Sequence, residues 1–458
     1  MRLRALLLSV AMLIAGITVT DAVAEPSASN RASAVANPLV QGPIGGGVHG
    51  YPWNMSLFPL RGPGYDYTEN EYFYSGTATD LTNGASAPYE SRMLVRLPRD
   101  PARFSGTVVV EWLNVTGQMD LETAWPVEAQ YLMRHGIGYV GVSAQEAGVC
   151  CGPTTLKGWD PVRYAPLVHP EDTFSYDIFS QAIRALRAPQ DNLTSIEQPI
   201  KVDPMQGMHV KHLVVTGASQ SAGYLTTFVN DKYNRNQVDF YVITRGGGPF
   251  NDFSTPIAQL NEENNLATQK DNSHYVVWEE AGTAHAPSIW ENAYIWPEQQ
   301  RDIFVPGVPN AINMACSINH GTVDFSSRAL SSWVTRYFQT GQMPPPAPRI
   351  KTDASGNPVR DANGLAEGGL RHAFVEVPVA YNSSTGCPLF GTYTQWTADK
   401  IKSLYKTHAV YLAKVVKWTA YEVQHGWLLP EDRADVLVKA RAFTGPWTGG
   451  STAPPQGL

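Results

Sequence analysis

The chain has 458 residues, 43% of them hydrophobic, and a formal net charge of -7 at pH 7. This length suits one large domain with insertions or two domains, and the apolar content is enough for an ordinary buried core. A mildly acidic chain without a basic run argues against nucleic acid and membrane surfaces as partners.

The first 24 residues have the pattern of a secretory signal peptide. A basic start, Met1 to Arg4, precedes an apolar run and the small-residue site Ala22-Val23-Ala24. The apolar run is shorter than the roughly 20 residues of a membrane helix. We therefore predict cleavage after Ala24 and a secreted or periplasmic protein. Residues 25–50 are rich in Ala, Ser, Asn, Pro and Gly and are expected to form a flexible leader.

The following elements predict one α/β domain over residues 51–458. Short β-like runs before residue 101 indicate an antiparallel opening to a sheet. Apolar strands then alternate with amphipathic helices, which predicts mostly parallel pairing with ligand groups at the carboxyl ends of the strands. Strands are predicted at 107–113, 138–143, 213–216, 240–244, 257–260 and 275–278, and helices at 122–135 and 174–186. From about 290 to 445 the chain is mostly helical and forms either a cap over the site or a layer that closes the fold.

The segment Gly217-Ala218-Ser219-Gln220-Ser221 follows the strand at 213–216 and resembles the G-x-S-x-G turn of a nucleophile elbow. Small residues are needed there because the backbone is strained and two segments approach closely. Ser219 lies at the tip of the predicted strand, whereas Ser221 would lie inside the following helix. Ser219 is therefore the predicted nucleophile.

A dinucleotide-binding turn is the rival interpretation of the same residues. Such a turn normally follows the first strand of its domain and precedes an acidic residue by about 20 positions. This segment lies in the middle of the chain, and no lysine has a tyrosine four positions before it. We expect no cofactor.

A serine nucleophile needs a histidine base, and the base needs a carboxylate that orients it. His285 follows the strand at 275–278 through a small-residue loop and is the predicted base, with His320 as the rival. The acid is expected after the preceding strand, at Glu262 or Glu263. Glu279 and Glu280 continue the strand that leads to His285 and would have to fold back to reach it.

The oxyanion hole is predicted from backbone N–H groups. One is that of Gln220, directly after the nucleophile, and the other comes from the turn after the strand at 107–113, at Asn114 or Val115.

Several separated motifs resemble a family of bacterial secreted α/β-hydrolase domain proteins. They are Glu111-Trp112-Leu113-Asn114-Val115, Gly141 to Gln145, Phe174 to Ile178, Gly217 to Ser221, Ala281 to Ala286 and Gly426 to Asp432. The resemblance implies an α/β-hydrolase fold and an ester-type hydrolase. In this family the acid strand tends to end in a Ser-Glu-Thr-Asp-like string, and the alignment of that string favours Glu263 as the acid.

Four cysteines, Cys150, Cys151, Cys316 and Cys387, suit an exported protein with up to two disulfides. Cys316 with Cys387 is the easier pair, because adjacent Cys150 and Cys151 would close a strained ring. The alternative is that Cys150 and Cys151 are free, buried residues. No H-E-x-x-H motif or zinc-type cysteine spacing occurs, so no metal site is predicted.

The sequence thus predicts a secreted serine hydrolase that cleaves a small-molecule or polymeric carboxylic ester through an acyl-enzyme intermediate. An amidase or lactonase would use the same residues. A binding protein that keeps the scaffold without the chemistry is the alternative from a different class. No sequence pattern predicts an oligomeric state.

Overall fold

A ten-stranded mixed sheet runs through the molecule, which we describe from a computed structural model. The described residues are 35–54, 58–188, 191–192, 200–231, 233, 237–288, 317–455 and 458. The predicted signal peptide and residues 289–316 of the predicted cap region lie outside them. Within these ranges no helix has the length and apolar character needed to cross a membrane.

The strand order in the sheet is β1-β3-β4-β6-β5-β9-β10-β11-β12, with β2 paired to β3. The pairs from β1 to β6 are antiparallel, and those from β6 to β12 are parallel. The strands of this sheet are β1 Leu39–Gln41, β2 Arg61–Gly62, β3 Tyr65–Thr79, β4 Ser86–Pro98, β5 Thr107–Trp112, β6 Gly138–Val142, β9 His212–Ala218, β10 Phe240–Thr244, β11 Ile257–Glu262 and β12 Tyr275–Glu280. This is the predicted antiparallel opening followed by a mostly parallel sheet.

Two short hairpins lie outside this sheet: β7 Asp191–Asn192 with β8 Ile200–Lys201, and β13 Ala380–Ser383 with β14 Thr392–Gln395. The α-helices are α1 Trp125–Arg134, α2 Glu146–Val149, α3 Leu156–Trp159, α4 Ser175–Arg187, α5 Gln220–Asn230, α6 Val323–Thr340, α7 Ala373–Glu376, α8 Ala398–Tyr405, α9 His408–His425, α10 Pro430–Ala442 and α11 Gly445–Thr448.

Helices cover both faces of the parallel part of the sheet. Neighbouring strand residues point to opposite faces, so Val109 and Val110 of β5 belong to different cores. On one face, α4 and α5 pack with Val110, while on the other α1 and α6 pack with Val109. Because the parallel strands are buried on both faces, they read in the sequence as continuous apolar runs.

The first described helix after residue 317 is α6, and it packs on the sheet as a helical layer rather than as a lid. Leu330 and Val334 of α6 pack beside Val242 and Trp278 of the sheet. Helices α8 to α10 form their own apolar cluster, which reaches α6 through Phe325.

Two expectations about the chain need correction. The predicted leader is too long, because β1 lies within it and pairs with β3 through Val40 and Tyr74. Cys150 and Cys151 are not free, since they form a disulfide with each other. Cys387 is also disulfide-bonded, and Cys316 lies outside the described residues.

Candidate active site

Ser219 stands at the sharp turn between β9 and α5, with backbone angles φ 59° and ψ -118°. This left-handed φ is strained for a residue with a side chain, and such strain clusters at functional sites. A Cβ on Gly217 would lie 2.8 Å from Leu225 Cδ1, which explains the glycine before the turn. Ser221 is buried inside α5, where its hydroxyl donates to Ala218 O at 2.8 Å.

His285 lies in the loop after β12 and reaches the elbow. Its Nε2 is 2.9 Å from Ser219 Oγ. The loop is held by Asn319, whose side chain donates to Gly282 O at 2.8 Å and accepts from Ala284 N at 3.3 Å. The rival His320 is turned elsewhere, with its ring stacked on Tyr393 at 3.9 Å between centroids.

The carboxylate beside His285 belongs to Glu262 and not to Glu263, the predicted third member, so the structure corrects the position of the acid by one residue. Glu262 Oε1 is 2.7 Å from His285 Nδ1. Glu263 Oε1 instead accepts from Arg360 at 3.1 Å, and its Oε2 accepts from Ser384 N at 3.3 Å. The reason is that β11 extends to Glu262, so the next residue turns to the opposite side.

The side-chain pKa values of Glu262 and Glu263 are also shifted in opposite directions. Burial alone would raise the pKa of Glu262, but the hydrogen bond and charge of His285, together with Arg245, lower it below the usual value. Burial raises the pKa of Glu263, and Arg360 offsets this only in part. Glu262 is therefore the carboxylate that stays ionised beside the imidazole.

The remaining two glutamates of this region continue β12 as expected and are buried. Glu279 and Glu280 are each only 1% exposed. Glu279 accepts from Ile350 N at 2.9 Å and pairs with Arg349 at 2.9 Å. Their substitution is thus expected to affect folding rather than to be mild.

Two further side chains support the constellation and were missed in the sequence. Arg245, buried with φ 58° at the end of β10, donates to the backbone oxygens of Ala284 and His285. Asn265 donates to Glu262 Oε1 from the turn after β11. Arg245 directly follows a parallel strand, and that position was a signal for a ligand-side residue.

The predicted oxyanion donors need one correction. The N–H of Asn114 donates to Leu121 O at 3.1 Å and is therefore occupied. The side chain of Asn114 has a different role: its Nδ2 donates to Ala218 O at 2.9 Å and so connects this loop to the elbow. Within the described ranges the N–H groups of Val115 and Gln220 have no hydrogen-bond acceptor, so these two remain the candidates.

A second group of the same residue types lies about the start of α7. Ser326 Oγ is 2.8 Å from His372 Nε2, and Glu422 Oε1 is 2.6 Å from His372 Nδ1. Glu280 Oε1 lies 3.6 Å from the same ring. All four side chains are buried, so no substrate reaches this serine.

One group of side chains in the described part of the chain has the spacing of a metal site, namely Glu146, Cys150 and Cys151. The two sulfur atoms are bonded to each other, and a thiolate is what a metal ion would need from each. In this oxidised form the group does not fit a metal.

A mostly parallel sheet, a strand–turn–helix elbow with a serine at its tip, and a histidine and an acid after later strands define an α/β-hydrolase. The order along the chain is Ser219, Glu262, His285, as this fold requires. A sequence profile of the alpha/beta hydrolase domain family matches residues 40–438. The chain therefore belongs to that family.

Comparison with solved structures finds esterases and hydrolases at low similarity. An α/β serine hydrolase without a lid from Xanthomonas campestris is 13% identical over 45% of this chain and 83% of its own, with a TM-score of 0.26. An esterase from Rhizomucor miehei is 11% identical over 39% and 44%, with a TM-score of 0.22. Brefeldin A esterase, a bacterial homologue of human hormone-sensitive lipase, is 13% identical over 42% and 43%, with a TM-score of 0.24.

This chain thus spans less than half of the length of the Rhizomucor miehei and brefeldin A esterases. At these values the structural similarities do not bear on function. Comparison with curated proteins found no match.

Proposed function

We propose that the protein is a serine hydrolase that cleaves carboxylic esters through an acyl-enzyme intermediate. The observation that carries the proposal is the continuous contact from Ser219 Oγ to His285 Nε2, 2.9 Å, and from His285 Nδ1 to Glu262 Oε1, 2.7 Å. These distances are those of a nucleophile, its base and the group that orients the base.

The chemistry follows from these positions. His285 takes the proton of the Ser219 hydroxyl as its oxygen attacks the ester carbonyl, and Glu262 stabilises the imidazolium that forms. The N–H groups of Gln220 and Val115 donate to the carbonyl oxygen as it becomes negative. The imidazolium then gives its proton to the leaving alkoxide, and a water molecule activated by His285 releases the acid.

A substrate and probe panel tests this function. Turnover of p-nitrophenyl esters, anilides and lactones is measured with and without a fluorophosphonate, and the labelled peptide is mapped. We expect ester hydrolysis that stops as Ser219 is labelled. Preference for the anilides or lactones would reassign the substrate class, and absence of both labelling and turnover would favour a binding protein on this scaffold.

Export is a separate part of the proposal. The basic, apolar and Ala-x-Ala pattern of residues 1–24 supports cleavage after Ala24 and a secreted or periplasmic location. Intact-mass analysis of the protein from the exported fraction should give an N-terminus at Glu25. A mass that still includes Met1 to Ala24 would contradict the export proposal and leave the hydrolase proposal intact.

A further inference from the structure

The disulfide between Cys150 and Cys151 contributes little as a staple. The entropy that a cross-link removes from the unfolded chain grows with the length of the closed loop. These two residues are adjacent, with a sequence separation of 1. This disulfide therefore does not hold distant parts of the fold together. Its surroundings indicate another role.

The disulfide directly follows α2, and residues 145–148 lie beside the two segments that carry the candidate oxyanion donors. On the elbow side, Gln145 Oε1 accepts from Gln220 Nε2 at 2.9 Å, just before the helix. On the other side, Gly148 packs so near Val115 that a side chain would not fit freely, since a Cβ added there would lie 3.1 Å from Val115 Cγ1. The helix ends where Cys150 N donates to Glu146 O at 2.9 Å.

The bond is accessible to a reductant from solvent. Cys151 is exposed, while Cys387 is only 7% exposed. Cys151 also has a left-handed backbone, φ 80°, which is strained for a residue with a side chain. In a reduced form the Cys150 thiol would have Glu146 Oε1, 3.8 Å from its sulfur, as an acceptor.

We propose that Cys150–Cys151 is a reversible redox site through which a dithiol reductant lowers the hydrolase activity. The effect on turnover rests on the proposed function. A thiolate of the reductant attacks Cys151 Sγ, the bond to Cys150 Sγ breaks, and Cys150 leaves as a thiolate that takes up a proton. The second thiol of the reductant then releases Cys151 as a thiol, so two electrons pass to the protein and the reductant becomes a disulfide.

Reduction acts through the position of the donors. Without the ring, the short helix α2 gains freedom, so the hydrogen bond of Gln145 with Gln220 and the packing of Gly148 beside Val115 loosen. Complete loss of one oxyanion donor costs about 10²–10³ in turnover. Displacement of two donors that are still present is expected to lower kcat about tenfold, with a smaller change in KM.

The test uses the full chain titrated with dithiothreitol. Free thiols are alkylated at each step and mapped by peptide mass, and kcat is measured in parallel. We expect Cys150 and Cys151 to be alkylated before Cys387, together with the fall in kcat, and reoxidation to restore activity. The control variant Cys150→Ser/Cys151→Ser keeps the disulfide of Cys387 and should have a low kcat that early reduction does not change.

Amide hydrogen exchange gives a readout that does not depend on ester turnover. Peptides that cover residues 114–121 and 219–224 should exchange faster after reduction of Cys150 and Cys151. Unchanged exchange in both peptides, or unchanged kcat in a protein with Cys150 and Cys151 alkylated, would overturn the redox proposal. A protein that hydrolyses no ester in its oxidised form would refute the proposed function, and the exchange measurement would still decide whether the disulfide controls these two segments.

Discussion

Replacement of Glu262 by glutamine should nearly abolish turnover while the fold stays in place. Glu262 is 1% exposed, and its Oε1 lies 2.7 Å from His285 Nδ1. With the charges of imidazolium and carboxylate about 4 Å apart, their attraction is about 4 kcal/mol at an effective dielectric constant of about 20. Loss of that attraction in the transition state corresponds to a factor of about 10³ in kcat.

The tautomer of His285 adds to this factor. A glutamine amide in this position can donate to Nδ1, which would place the imidazole proton on Nε2 and remove the base from Ser219. A comparable change of aspartate to asparagine elsewhere lowered kcat by about 10⁴ with the geometry intact. We therefore expect Glu262→Gln to reduce kcat by about 10³ to 10⁴ with a small change in KM.

Glu263→Gln is the matched control, since it makes the same chemical change one residue away. Glu263 pairs with Arg360 and accepts from Ser384 N. The amide oxygen keeps an acceptor, and Arg360 is partly exposed, with 27% of its side chain accessible. The expected cost is about 1–2 kcal/mol of stability with kcat near that of the wild type.

The assay compares kcat and KM of the wild type and both variants on one p-nitrophenyl ester, with thermal melting as the folding check. A Glu262→Gln variant that retains more than about a tenth of the wild-type kcat would refute the acid role of Glu262, because the loss expected from its charge alone is larger. Collapse of Glu263→Gln without a change in melting would give the acid role to Glu263.

Contacts of Ser219, Asn114 and His372 can each be tested by substitution. Ser219→Ala should lower kcat by about 10⁴ to 10⁶. Peptide mapping should show that a fluorophosphonate labels Ser219 but neither Ser221 nor the buried Ser326. An adduct on Ser221 or Ser326 would refute the assignment of the nucleophile. Asn114→Ala removes the hydrogen bond from Asn114 Nδ2 to Ala218 O and should cost about 1–2 kcal/mol of stability. It should also slow the labelling of Ser219 by a fluorophosphonate. An unchanged labelling rate would show that this hydrogen bond does not position the elbow. Burial lowers the pKa of His372, but the neighbouring carboxylates of Glu422 and Glu280 outweigh this and raise the pKa from 6.5 to about 10. The contribution of His372 to stability is therefore complete below pH 6.5 and is lost as pH rises through about 10. Thermal melts of the wild type should show this loss, and melts of His372→Gln should lack it.

Local patterns in the sequence predict the sheet, the elbow turn and the position of the His285 loop after a strand. The apolar run before Gly217 and the small residues around Ser219 are features of one short segment, and so is the loop that leads to His285. The resemblance to the family favoured Glu263 as the acid, but β11 continues to Glu262 by pairing with Glu280 of β12, and Glu262 is the residue that reaches His285. The length of β11 thus depends on its contacts with β12, and the apolar pattern of β11 alone does not predict where the strand ends.

The occupied N–H of Asn114 has a similar explanation. It is bonded to Leu121, which returns to the same turn only after the intervening residues have formed a loop. Spacing alone identified the turn but not which of its N–H groups is used within the protein. The adjacency of Cys150 and Cys151 predicts a strained ring, and the sequence does not contain the left-handed backbone of Cys151 with which that ring forms.

The cluster of Ser326, His372 and Glu422 has a consequence for how enzymes of this kind are found. A search that matches three side chains to a template by their mutual distances would return two sites in this one chain, with the buried set as well formed as the one at the elbow. Strain at the serine and access from solvent distinguish them: Ser219 has φ 59° and is partly accessible, while Ser326 lies within a regular helix and is 0% exposed. Distance templates applied to other sequences would therefore gain specificity from the backbone angle of the candidate nucleophile.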